Sequence, residues 1–334
     1  MQHIPATGRR TEFFCGPLHL TLDAEKPELQ GKIAETLLLY DITWSPPYRT
    51  VQIDATSASA HLAPARGDFL RCARMLVDQT ATGLAASTVS GAHAHGVFSP
   101  MGELWRFSVP AALIDAGNLE ELEDLLSLVL TTGWRRGHWT PIHAAAVVKG
   151  ARCTIICAPT GGGKTTLTAA LVRRGWQVLG DDKLLLRHHG REPYVAALLH
   201  TFNLHPKTRE WFPEVGDLEV LPRYSAWTEK RKVNVTSIWT HAPAHGARPT
   251  MLVSLQRDQA FSGVVISPLD LGARLDTLLR QTVIPVEAAT ARAIITDVAN
   301  AASVMGGIAV RIGTDAYHDA NALAQLEAAL EGVA

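Results

Sequence analysis

Hydrophobic and polar positions change their spacing along the chain. Through the N-terminal third, short apolar runs at 18–22, 37–42, 50–53 and 104–109 are separated by Pro46-Pro47, Pro64, Gly67 and Pro100. Short runs between turn formers predict strands, and only 69–77 offers a helical alternative. Residues 86–100, rich in Ala, Ser, Gly and His, read as a loop. An amphipathic helix follows over 117–132, with Leu119, Leu122, Leu125, Leu126 and Val129 on one face. Glu120, Glu121 and Asp124 load its positive end, and Gly133 is its expected stop. A polar and aromatic connector, 134–141, leads to a strand and tight turn at 143–150 that feeds a nearly continuous apolar run, 153–157.

Beyond that run the pattern predicts a helix stopped by Gly175, a strand at 177–179, and a strand at 183–186 leading to the His188-His189-Gly190 turn. Residues 194–199 pair back on 183–187. Residues 200–221 mix aromatics, prolines and charges without period, as a segment covering a site often does. An alternating strand is expected over 233–239, with further strands at 251–255, 264–266 and 308–312. Helices are expected at 269–279, 286–304 and 319–330. The chain therefore reads as α/β, in three parts: a mixed, mainly β domain (1–115), a linker helix and connector (116–140), and an α/β catalytic domain (141–334).

Composition narrows the function classes. The 334 residues suit two domains, and 31 Lys plus Arg against 32 Asp plus Glu give no global field for nucleic acid or an anionic membrane. Cys15, Cys72, Cys153 and Cys157 lack zinc-finger spacing and read as reduced, buried thiols. No apolar run reaches bilayer length and MQHIPATGRR has no signal-peptide core, so the expected address is cytoplasmic. The Leu-rich and Ala-rich helix faces read as core, and a homo-oligomer is left open. His93 and His95 lack a third ligand at suitable spacing and read as loop histidines.

The chemistry concentrates at 153–182. After the apolar strand, Ala158-Pro159-Thr160-Gly161-Gly162-Gly163-Lys164-Thr165-Thr166 is nearly the Walker A pattern, with Ala158 in the place of its first glycine. The glycines let the backbone N–H groups converge on a phosphate, Lys164 adds a cation, and Thr165 offers a hydroxyl to magnesium. Seventeen residues after Lys164 come Asp181 and Asp182. Adjacent carboxylates on an extended backbone point apart and can divide labour between metal and acceptor hydroxyl. An Asp-Asp turn at a strand end can also be merely solvated; the preceding loop, helix and strand favour the chemical reading. The Lys230-Arg231-Lys232 triplet reads first as a solvated face, but one of its cations, or more weakly Arg257 or Arg280, could serve a transferring phosphoryl group.

Together, His143, the hairpin, APTGGGKT, the Arg173-Arg174-Gly175 helix end and GDD resemble the catalytic domain of the HPr serine kinase/phosphorylase family, and more loosely the phosphoenolpyruvate carboxykinases. The resemblance covers 143–182. It implies a P-loop kinase fold of that type and an ATP- and Mg²⁺-dependent transfer to a serine-type hydroxyl of a peptide or protein. It further implies Asp181 as general base, Asp182 and Thr165 as magnesium ligands, Lys164 on the phosphates, and His143 beside the aspartate. His143 could equally cap its strand. The glycine-containing loop used for phosphorolysis is not found, and the N-terminal half resembles instead stand-alone HPr-kinase-like proteins, including kinases of lasso-peptide precursors. A small-molecule hydroxyl kinase of the same fold, a carboxykinase-like enzyme and a non-kinase P-loop NTPase remain open. The last would carry a separate apolar strand ending in Asp far downstream and a water-activating Glu, and neither stands out in the sequence.

Overall fold

The computed structural model describes residues 10–38, 42–43, 49–58, 70–72, 75–116, 120–189, 192–198, 201–221, 223, 228–239, 244–282, 285 and 287–332. Pro46, Pro47, Pro64, Gly67, Gly117, Leu119, Gly190, Leu199, His200 and Val286 lie outside these residues, as does the side chain of Cys72. The protein is mixed α/β and separates into two compact units. One comprises 1–138 with 285–291, the other 139–284 with 292–334.

The first unit holds β1 (Thr11–Gly16), β2 (Leu18–Ala24), α1 (Pro27–Leu38), β3 (Ile42–Thr43), β4 (Arg49–Ala58), β5 (Leu70–Cys72), β6 (Met75–Gln79), β7 (Gly83–Thr88), β8 (His93–Phe98), β9 (Gly102–Pro110), α2 (Ala111–Asp115) and α3 (Glu120–Arg136). Its strands form one sheet in the order β3-β1-β2-β4-β9-β8-β7-β6-β5. Strands at 18–22, 50–53 and 104–109 are as the pattern predicts.

Three details differ from the pattern. The run 37–42 is divided: Leu37 ends the apolar stripe Leu29, Ile33, Leu37 of α1, whose four-residue spacing buries it, Ile42 begins β3, and 39–41 lie outside the described residues. Within 69–77 the described residues, 70–72 and 75–77, pair as β5 and β6 and not as a helix. The expected loop at 86–100 includes most of the β7–β8 hairpin, placing His93 and His95 on a strand.

Helix α3 also runs past Gly133, which stands inside it because a Cβ there would meet the Leu18 Cδ1 at 2.9 Å. The glycine permits close helix–sheet approach, so Trp134 continues the helix and donates Nε1–H to the Cys15 carbonyl at 3.0 Å. Rather than serving as a connector, α3 packs Leu122, Leu125, Leu126, Val129 and Leu130 within this unit.

The second unit contains β10 (Thr140–Ile142), β11 (Ala145–Lys149), β12 (Arg152–Cys157), α4 (Lys164–Arg173), β13 (Gln177–Gly180), β14 (Leu184–His189), β15 (Glu192–Ala197), β16 (Thr201–Leu204), β17 (Arg231–Asn234), β18 (Gly246–Ala247), β19 (Met251–Arg257), β20 (Val264–Pro268), α5 (Leu271–Leu279), α6 (Ala288–Val304, in this unit from residue 292), β21 (Gly306–Ile312) and α7 (Ala320–Glu331). Its central sheet runs β13-β11-β12-β19-β21-β20. The expected hairpin is present, β11 antiparallel to β12, while β12, β19 and β21 are mutually parallel neighbours.

Alternation divides the core of this unit. Ala145, Val147, Ile156, Val253 and Val310 face a cluster with α4, α7 and the 202–239 segment. Ala146, Val148, Cys153, Ile155 and Leu252 face β14, β15, α5 and α6. Cys153 and Cys157 are free and buried, and burial pushes both thiols up to about 12, so they pack as small apolar groups. The strand expected over 233–239 is shorter: β17 stops at Asn234, whose side chain accepts from the Thr236 N–H and opens a 3-10 turn. No described helix is long and apolar enough to cross a membrane.

Candidate functional site

Strand register brings the sequence-predicted residues together. Ala145 at the start of β11 lies opposite Ile156 near the end of β12, and Ala146 lies opposite Gly180 at the end of β13. His143, the glycine-rich loop and the two aspartates therefore emerge at one edge of the sheet. A cavity of about 580 Å³ opens there, lined in part by His143, Thr160, Gly161, Gly162, Gly163, Lys164, Thr165, Thr166 and Asp182.

The loop needs its glycines for separate reasons. Gly161 and Gly163 take left-handed backbone, φ 74° and 95°, and Gly163 is the residue from which α4 begins. At Gly162 a Cβ would stand 2.8 Å from the Ala158 Cβ and 2.9 Å from the Pro159 carbonyl. The small residue at 158 is thus packed against the loop it introduces. Helix α4 directs its first N–H groups, which have no partners within the helix, toward the cavity. It closes at Gly175 (φ 93°), where the Trp176 N–H reaches the Leu171 carbonyl and the Gly175 N–H reaches that of Val172.

Polar contacts connect the predicted catalytic groups. Lys164 is buried and donates to the Ala158 carbonyl and to His143 Nε2, both at 3.0 Å. With Nε2 accepting, His143 Nδ1 carries the proton and faces the Asp182 carbonyl at 3.0 Å and its Oδ1 at 3.2 Å. Burial lowers the His143 pKa, Asp182 partly counteracts it, and Lys164 lowers it further. Burial likewise lowers that of Lys164, against the pull of Asp182 and Asp181.

The two aspartates occupy unlike surroundings. Asp181 is 1% exposed and does not line the cavity; its Oδ2 accepts the Thr165 hydroxyl at 2.8 Å. Its other oxygen, Oδ1, is buried with no hydrogen-bond partner among the described residues. Burial, reinforced by Asp182, pushes the Asp181 pKa up to about 7. Asp182, with φ 71°, turns the chain so that its side chain reaches the cavity instead.

The opposite wall comes from the aperiodic segment, Asn203, Leu204, His205, Lys207, Thr208 and Trp211, with Lys230, while Arg257 at the end of β19 beside the loop, and Gln259, complete the lining. For the residues from Asn203 to Trp211, lack of period across 200–221 was the only sequence sign; Gln259, and Tyr317 behind the wall, gave none. Of the suggested cations, Lys230 and Arg257 reach the cavity, whereas Arg280 pairs with Asp276 on the surface. His93 and His95 join no cluster, since the described residues contain no group of three or more His, Cys, Asp or Glu able to hold a metal.

No family model and no curated protein matches the chain. Among solved structures it is similar to the HPr(Ser) kinase/phosphatase from Coxiella burnetii, at 12% identity and a TM-score of 0.31, over 57% of this chain and 92% of that one.

Proposed function

We propose that this protein is a kinase that moves the γ-phosphate of a nucleoside triphosphate to a serine-type hydroxyl of a peptide or protein. A small hydroxylated molecule is the second acceptor class. The observation that carries the reading is the continuous contact chain Lys164–His143–Asp182 at the mouth of a glycine-rich loop, beside the separate Thr165–Asp181 pair. The first places a phosphate-seeking cation next to a carboxylate that faces the cavity. The second offers a hydroxyl and a buried carboxylate on the helix side.

The residues fit magnesium. Asp181 Oδ1 is an orphaned buried acceptor, and burial, with Asp182 beside it, keeps a proton on the carboxyl up to about pH 7. Thr165 and Asp181 would hold the ion, with nucleotide phosphates completing its shell. Bound there, magnesium neutralises charge on the phosphates. This division exchanges the roles that the resemblance implies for the two aspartates: Asp182, not Asp181, meets the acceptor.

In the transfer itself the acceptor oxygen bonds to the γ-phosphorus as the bond to the leaving diphosphate breaks, and the hydroxyl proton passes to Asp182. His143 orients Asp182 through its Nδ1–H, and Lys164 neutralises the γ end of the phosphates. Positioning and charge supply the rate, since the protein performs no covalent step.

A hydrolysing NTPase is less well supported. Its expected downstream strand ending in Asp is present, β19 followed by Asp258, yet Arg311 binds that carboxylate and Asp258 does not line the cavity. Incubation with γ-labelled ATP, Mg²⁺ and a cell extract tests the proposal. Label in a polypeptide supports it, label in a metabolite selects the second acceptor class, and label only in free phosphate overturns both.

A further inference from the structure

Resting on the phosphotransferase reading, we infer that the donor is a true nucleotide, held by stacking of its base on Trp211, and not an inorganic polyphosphate. The sheet order gives the cavity two ends. His143 precedes β11 and Asp182 follows β13, so both stand on one side of the loop that leaves β12. Arg257 ends β19 and Tyr317 follows β21, on the other side. Lys164 turns its amine toward His143, which makes the first side the γ end. The rest of the donor must extend toward the second.

Trp211 stands at that second end. Its ring centroid lies 5.7 Å from that of Tyr317 at 42°, and the Tyr317 hydroxyl is 3.3 Å from where a Cβ on Gly163 would be. An aromatic pair thus begins at the loop backbone and continues outward to the half-buried indole on the cavity wall. Tyr317 is itself buried and backs the indole. The Trp211 carbonyl accepts from Arg173 of α4 at 3.1 Å, fixing the backbone of the stacking residue to the helix that presents the phosphates. A planar, partly wet aromatic face beyond the phosphate cradle suits a nucleobase and offers nothing to a phosphate.

Titration calorimetry with Mg-ATP and with magnesium tripolyphosphate, on the parent, Trp211→Ala and Trp211→Phe proteins, tests this. Base stacking on an aromatic side chain predicts that Trp211→Ala weakens ATP roughly tenfold or more, that Trp211→Phe retains most of the affinity, and that tripolyphosphate binds all three alike. Unchanged ATP affinity in Trp211→Ala overturns the inference, as does an equal loss of both ligands or parent protein that binds tripolyphosphate as tightly as ATP. Parent protein that binds neither ligand overturns the phosphate cradle as well, which separates failure of the kinase reading from failure of the stacking alone.

Discussion

The two walls of the cavity are built differently. On one side, His143, the glycine-rich loop and the aspartates sit at the ends of three hydrogen-bonded strands, and their separations are set by ladder register. On the other, residues 201–211 and 228–234 form a two-stranded ribbon, 3-10 turns and extended chain. The groups proposed for transfer thus stand on the stiffer frame, as preorganised electrostatics requires. The wall proposed to choose ligands is built from segments outside the central sheet.

The sharpest attempt to break this contrast exchanges the aspartates' neutral isosteres. Asp182→Asn removes the proposed proton acceptor and should lower transfer by about 10²- to 10⁴-fold while Mg-ATP affinity stays near the parent's. Asp181→Asn should instead raise the Mg²⁺ concentration that transfer requires. Rate against Mg²⁺ concentration checks both, and the reverse pattern would restore the base role to Asp181. A smaller loss is expected from Lys164→Ala, which removes the cation between the Ala158 carbonyl and His143. Nucleotide affinity should fall by roughly ten- to a hundredfold, as for a charge-assisted hydrogen bond lost in a buried site. Parent-like affinity in calorimetry would count against the loop.

The contrast between walls also explains what the sequence made legible. The loop, the hairpin before it and the doubled aspartate are local patterns, each forced by backbone geometry: φ 95° at Gly163, the tight turn through Gly150, the strand end at Gly180. The division between the aspartates was not legible, because it depends on the positive φ of Asp182 and on the tertiary contact of Asp181 with Thr165. Trp211 and Tyr317 are 106 residues apart in sequence and meet only through packing. Helix α1 was hidden by the apolar run continuing past Leu37, and α3 was shortened because Gly133 reads as a stop when only its contact with Leu18 shows otherwise.

A stability measurement probes the stiff wall without any substrate. Since the Asp181 pKa of about 7 lies above its ordinary 3.8, the folded protein holds that proton more tightly than the unfolded chain. The resulting stabilisation is complete below about pH 4 and is lost as pH rises through about 7. Asp181→Asn is uncharged throughout, so its Tm relative to the parent should rise between about pH 5 and pH 8, by a few degrees for each kcal/mol. Added Mg²⁺ with nucleotide should narrow the gap at the higher pH. A difference in Tm that ignores pH would mean that Asp181 is not the buried acid the contacts describe.

The smallest expected effect addresses the looser wall. Lys230 lines the cavity, and its charge acts on both Asp181 and Lys164, but it stands on the extended chain before β17. Lys230→Met should slow transfer only several-fold at low salt, because a partly hydrated cation contributes through a high effective dielectric. Its effect should shrink as ionic strength rises past physiological, where the screening length falls below about 8 Å. The loss from Lys164→Ala should persist at the same salt, since that amine is buried and hydrogen-bonded. Kinetics of the two variants across a salt series test the distinction between walls: parallel curves would show that both cations sit in equally wet surroundings, and the contrast on which the site was divided would fall.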